Sequence, residues 1–83
     1  MEIFYTHKAA RQLKNLSYST QKRIVEKMRF YAKQKDSLKF AKRLIDYREG
    51  EYRFRIGKYR LIFDVKNDNI YILKIDKRDK IYD

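Results

Sequence analysis

The chain has 83 residues, no cysteine, and 22 lysines and arginines against 11 acidic residues, a formal net charge of +11. A chain this short closes around one core that buries about 60% of its unfolded surface, which excludes a separate cofactor domain, and the missing cysteines exclude disulfides and thiolate metal sites. The charge sets a field of several kT and directs attention to a polyanionic partner, while the lack of a membrane-length apolar run or a signal-type apolar stretch in "MEIFYTHKAA" leads us to expect a soluble, cytoplasmic protein.

Ile3, Phe4 and Tyr5 form a short apolar run that stops at Thr6, a good N-cap. Ala9, Leu13 and Leu16 then recur at helical spacing, predicting a strand followed by a helix of about three turns. "SYST", Ser17 to Thr20, interrupts the pattern and supplies another cap. Gln21, Ile24, Val25, Met28, Tyr31 and Ala32 resume the rhythm until "KDS", Lys35 to Ser37. So tight a joint makes the two helices an antiparallel hairpin, each with one apolar stripe to bury.

From Leu44 onward the period changes to two. "LIDYR" predicts a weak strand, "YRFRI" a strong one, and "YRLIFDVK" and "IYILKID" two more, with turns at Glu49-Gly50 and Asn67-Asp68-Asn69. The expected fold is one α+β domain over residues 1–83: an N-terminal strand and an antiparallel two-helix hairpin packed on one face of a mainly antiparallel twisted sheet. Tyr52, Phe54 and Ile56 share a face, so Arg53 and Arg55 stand on the opposite one, expected to be open and basic.

Glycine at the first central position of Gly57-Lys58 predicts a two-residue type II′ turn. Ile56 then pairs with Tyr59, Arg55 with Arg60, Phe54 with Leu61 and Arg53 with Ile62. Two arginines directly opposite each other cost some tenths of a kcal/mol to about 1 kcal/mol, so folding gains nothing from the pair. A lone arginine in an alternating strand merely solvates it. Three together point to an anion, and rigid guanidinium forks suit phosphate. A three-residue loop at Asn67 to Asn69 would align Phe63 with Leu73 and Leu61 with Ile75, setting Arg60 beside Asp76. The tail "KRDKIYD" then brings Lys77, Arg78 and Tyr82 to the edge of the basic face, unless it is simply a frayed charged terminus.

Cleaving RNA through its own 2′-hydroxyl needs a base, positive charge on the phosphate and an acid for the leaving oxygen. Arginines supply the charge but are poor bases; Tyr82 carries a proton at neutral pH, and Asp64, Asp76, Glu51 or Lys77 are the groups available as base. His7, distant in sequence, reads as a surface or packing residue. No metal-ligand spacing, glycine-rich phosphate loop or nucleophile motif is present.

The run from Gly50 to Phe63, G-x-Y-R-x-R-x-G-x-Y-R-h-h-F, together with the ending Lys77, Arg78, Asp79, Lys80, Ile81 and Tyr82, resembles the RelE/ParE superfamily of toxin-antitoxin toxins over essentially the whole chain. In its RelE-like branch the resemblance implies a ribosome-dependent mRNA endoribonuclease needing neither metal nor cofactor, with an adjacent-encoded antitoxin, the ribosome and mRNA as partners and no membrane. It implies catalytic places for Arg53 and Arg55, where RelE has two lysines, for Arg60 and Arg78 as phosphate-stabilising arginines, and for Tyr82 as the C-terminal tyrosine. Lys77 stands where many relatives have histidine. Lys58, Lys74, Lys77, Lys80 and Arg43 are the cations expected to contact RNA. The alternatives are a ParE-like inhibitor of DNA gyrase and a catalytically weakened relative that binds RNA or ribosome.

Overall fold

The computed structural model describes residues 1–45 and 48–77. In chain order the elements are β1 (Ile3–Tyr5), α1 (His7–Lys14), α2 (Tyr18–Lys33), a 3-10 turn (Ser37–Phe40), β2 (Lys42–Arg43), β3 (Tyr52–Ile56), β4 (Tyr59–Lys66) and β5 (Asn69–Lys77). The sheet runs β1-β5-β4-β3-β2, with only β1 parallel to its neighbour, so this is the expected α+β arrangement. Neither helix is long and apolar enough to cross a membrane.

The helices begin where the caps predict. Thr6 accepts from the Ala9 amide at 3.1 Å and donates to the Leu73 carbonyl at 3.3 Å, so one side chain starts α1 and fastens it to β5. Ser17 accepts from the Thr20 amide at 3.3 Å to start α2. Gln21 donates to the carbonyls of Leu16 at 2.8 Å and Lys14 at 3.3 Å, satisfying the end of α1 across the joint. At eight residues α1 has about two turns rather than three, because Asn15 caps it before Leu16. Beyond the reach of β1, the Ile75 amide donates to Gln12 Oε1 at 2.7 Å, so α1 supplies the partner a neighbouring strand would have given.

Ile24, Met28 and Ala32 of α2 bury against Phe54, Leu61, Phe63, Ile70 and Ile72 of the sheet. Tyr31, Phe54 and Phe63 stack in series, with ring centroids 4.6 and 4.5 Å apart. The β3–β4 register is the expected one, Arg55 opposite Arg60 included, and Gly57 has the positive φ of 58° that the turn demands.

Two expectations about the strands need correction. The β4–β5 loop has two residues, Asn67 and Asp68, whose φ values of 52° and 65° are those of a type I′ turn, so Phe63 pairs with Ile72 and not with Leu73. A bulge between Ile62 and Phe63 then absorbs Leu73, which restores the predicted partners Leu61 with Ile75 and Arg60 with Asp76. The strand expected over "LIDYR" is instead Lys42–Arg43: the 3-10 turn delivers the chain to β3 earlier, and one further backbone bond, from the Leu44 amide to the Glu51 carbonyl at 2.9 Å, continues the contact beyond Arg43. Asp46 and Tyr47 of that predicted strand lie outside the described residues.

Candidate functional site

Strand alternation places two cross-strand rows on the face away from the helices: Arg55, Arg60 and Asp76 in one, and Lys42, Arg53, Ile62 and Lys74 in the other. Arg60 does not meet Arg55 as an uncompensated charge. Its Nε and Nη2 donate to the two carboxylate oxygens of Asp76 at 3.0 and 2.9 Å, a bidentate pair that fixes the guanidinium plane. Lys74 Nζ donates to Glu49 Oε2 at 3.0 Å and lies 3.5 Å from Asp76 Oδ2. Partial burial works against the charged form of Asp76, yet the hydrogen bonds and charge of Arg60, aided by Lys74, outweigh it and hold the carboxyl below its ordinary range. The Glu49 hydrogen bond, against some desolvation, pushes the Lys74 ammonium above its ordinary value. The like-charge cost read from the sequence is therefore offset by the next strand.

This face is also less open than expected. Ile62 points away from the helices but is only 1% exposed, because the segment before β3 crosses over it. A Cβ on Gly50 would lie 2.6 Å from Ile62 Cγ2 and 3.2 Å from Leu73 Cδ1, so only glycine allows the backbone to pass. The Glu51 amide donates to Asp64 Oδ1 at 2.9 Å, and the Val65 amide donates to Glu51 Oε1 at 3.2 Å, pinning the segment from both sides. Three of the groups considered as bases, Asp64, Glu51 and Asp76, are thus acceptors in the scaffold of the face. The alternation carried the signal for Asp64 and Asp76; the sequence marked Gly50 as a turn residue and the start of the G-x-Y-R run, but not its close approach to Ile62.

Arg55 is exposed on the face and Arg53 is half-buried. Lys58 is exposed at the turn. Lys77 pairs with Tyr59, one step beyond Asp76, which turns it to the helix side of the sheet instead of the edge of the arginine face. Arg43, opposite Tyr52, likewise sits over the Tyr52 ring at 5.7 Å, on the helix side. His7 is exposed at the start of α1. Arg78, Lys80 and Tyr82 lie outside the described residues. Among the described residues no three His, Asp or Glu side chains gather as a metal cage would require.

What this arrangement can do chemically is hold an anion near Arg55, with the oriented charge of Arg60 directly across the strand pair. It orients charge more plainly than it moves protons.

No curated protein matches the chain. Among solved structures, the RelBE2 toxin–antitoxin complex of Mycobacterium tuberculosis contains a chain 26% identical, with a TM-score of 0.77 over 93% of this chain and 96% of that one. The archaeal RelE–RelB complex of Pyrococcus horikoshii gives 24% identity and a TM-score of 0.75 over 96% and 97%, and the E. coli RelBE complex 12% and 0.70 over 95% and 98%; these two share the fold. The sequence model for the ParE toxin of type II toxin-antitoxin systems matches residues 3–82. With that match spanning nearly its whole length, the chain belongs to the ParE toxin family, within the RelE/ParE superfamily of type II toxin-antitoxin toxins.

Proposed function

We propose that this toxin acts on RNA, as a ribosome-dependent mRNA endoribonuclease that arrests translation by 2′-hydroxyl attack on the adjacent phosphodiester. The observation that carries this reading is the Arg55–Arg60 cross-strand pair, with Arg60 held as a planar fork by Asp76. In such a reaction the protein's main contribution is oriented positive charge where the phosphate gains negative charge. Arg55 meets the incoming phosphate at the exposed end of the face, and Arg60 supplies a second charge whose direction is already set. Arg53 adds to the same field, and Arg78 and Tyr82 enter through the resemblance, Tyr82 as the acid for the leaving oxygen. Asp76 is not the base, since its carboxyl is held below the usual range by Arg60. Asp64 and Glu51 are engaged by backbone amides and Lys77 faces the helix side, so we assign proton abstraction to a group of the ribosome.

Primer extension on mRNA from programmed ribosomes tests this. Cleavage by the wild type should fall about 10²–10³-fold in Arg60→Ala, the loss typical of one oriented charge at a phosphoryl or oxyanion centre, and should fall in Tyr82→Phe. Intact message with active ribosomes, or no response to either substitution, would overturn the reading.

The match to the ParE toxin model favours a second reading, the one that the resemblance implies for a ParE-like chain: inhibition of DNA gyrase without chemistry. Supercoiling lost on adding the protein, with translation spared, would establish it. On either reading the partner is an antitoxin, as in the complexes that share this fold. An acidic or amphipathic segment suits the basic surface.

A further inference from the structure

The hairpin tip bears a second cationic site on the other side of the sheet. Thr20 and Arg23 of α2, the turn residues Gly57 and Lys58, and Tyr59 and Lys77 of the sheet line a cavity of about 470 Å³. Its cations come from three separate elements: Arg23 from the second turn of α2, Lys58 from the β3–β4 turn and Lys77 from the end of β5. The approach is close, since a Cβ on Gly57 would lie 2.8 Å from Arg23 Nη1, so the guanidinium lies directly against the turn. No carboxylate lines the cavity among the described residues, in contrast to the arginine face, where Asp76 and Glu49 answer Arg60 and Lys74. Among the described residues these three like charges line the cavity with no carboxylate beside them, an arrangement that opposes folding mildly and favours an anion.

We propose that this cavity is a second phosphate site, taking a phosphate of single-stranded RNA that flanks the one on the arginine face. The inference rests on the RNA-directed reading above. Guanidinium, ammonium and hydroxyl donors from Arg23, Lys58, Lys77, Thr20 and Tyr59 are the donor set that phosphate oxygens use, and the volume admits a phosphate together with its sugar. An RNA strand is favoured over an acidic peptide because Lys58 at the tip links this cavity to exposed Arg55 on the far side. A backbone carrying one charge per nucleotide can engage both sites by passing round the turn.

The test uses an uncleavable 2′-O-methyl RNA oligomer and fluorescence anisotropy across a salt series. Arg23→Gln/Lys58→Gln, both exposed positions, should leave thermal stability intact or slightly raised and weaken binding about tenfold near 0.1 M salt. It should also flatten the plot of log K against log salt by about 1.4, at about 0.7 per lost contact for a single strand. Arg55→Gln should weaken binding additively with it. Unchanged affinity and slope in the double variant, with RNA still bound, would overturn the second site and leave the RNA reading standing. If the wild type binds no RNA while inorganic pyrophosphate shifts the Thr20 and Lys58 amide resonances, the failure is that of the RNA reading. A glutamate-rich peptide that needs Arg23 and Lys58 where RNA does not would overturn the RNA assignment in favour of a protein segment.

Discussion

The arginine face and the hairpin tip use the same residue types to opposite ends. In the middle of the sheet Arg60 and Lys74 are answered by Asp76 and Glu49, and glycine lets the chain cross over Ile62, so much of the charge there is spent on organising the protein. At the tip Arg23, Lys58 and Lys77 come from three places in the chain, and among the described residues no carboxylate lines the cavity that holds them. A basic residue thus says little by itself about binding; the strand beside it decides.

The comparison breaks most visibly at its covered end. Ile62→Ala should leave a cavity beneath Gly50 and cost about 2–5 kcal/mol, measured by urea unfolding. Gly50→Ala should cost less, about 1–3 kcal/mol, because the added methyl meets Ile62 and the segment must rise. Faster amide exchange at Glu51 and Val65 would report that movement, and unchanged protection in the variant would argue against the crossing.

Asp76→Asn sharpens the comparison by making the middle of the sheet resemble the tip. Stability should fall by about 1 kcal/mol, as for a partly screened surface ion pair, while RNA should bind more tightly with a steeper salt dependence. Cleavage should nevertheless drop, because Arg60 loses its orientation. Tighter binding and faster cleavage together would mean that Asp76 restrains Arg60 without positioning it.

The pH dependence is a smaller effect with a definite sign. The carboxyl of Asp76 titrates below its unfolded value of about 3.9. Its contribution is therefore present above that pH and lost as pH falls through the lower folded value. Acid unfolding of the wild type should lose this increment below about pH 4, and Asp76→Asn should not. Lys74 is the reverse case: its raised value gives a contribution present below about 10.4 and lost as pH rises through the folded value. Lys74→Met should remove that alkaline dependence with a stability change under about 1 kcal/mol.

Much of the site's frame was legible because short-range chemistry dictates it. Gly57-Lys58 specifies a II′ turn, and one turn sets every partner in the hairpin, so the Arg55–Arg60 pair follows from sequence. Thr6 and Ser17 likewise mark the helix starts. Arg60 beside Asp76 was also expected, but by a different route: a shorter turn and a bulge cancel each other.

What the tertiary structure alone decided is which charges remain available. Whether Asp76 reaches Arg60 with both oxygens, whether Gly50 lies on Ile62, and whether Arg23 meets the Gly57 turn depend on contacts between elements distant in the chain, which no local pattern encodes. The sequence determined a two-helix, mainly antiparallel α+β fold with arginines on one face, because turn geometry and periodicity act over a few residues. Packing divided those cations between scaffold and surface, because electrostatic compensation depends on distance in space rather than on separation along the chain.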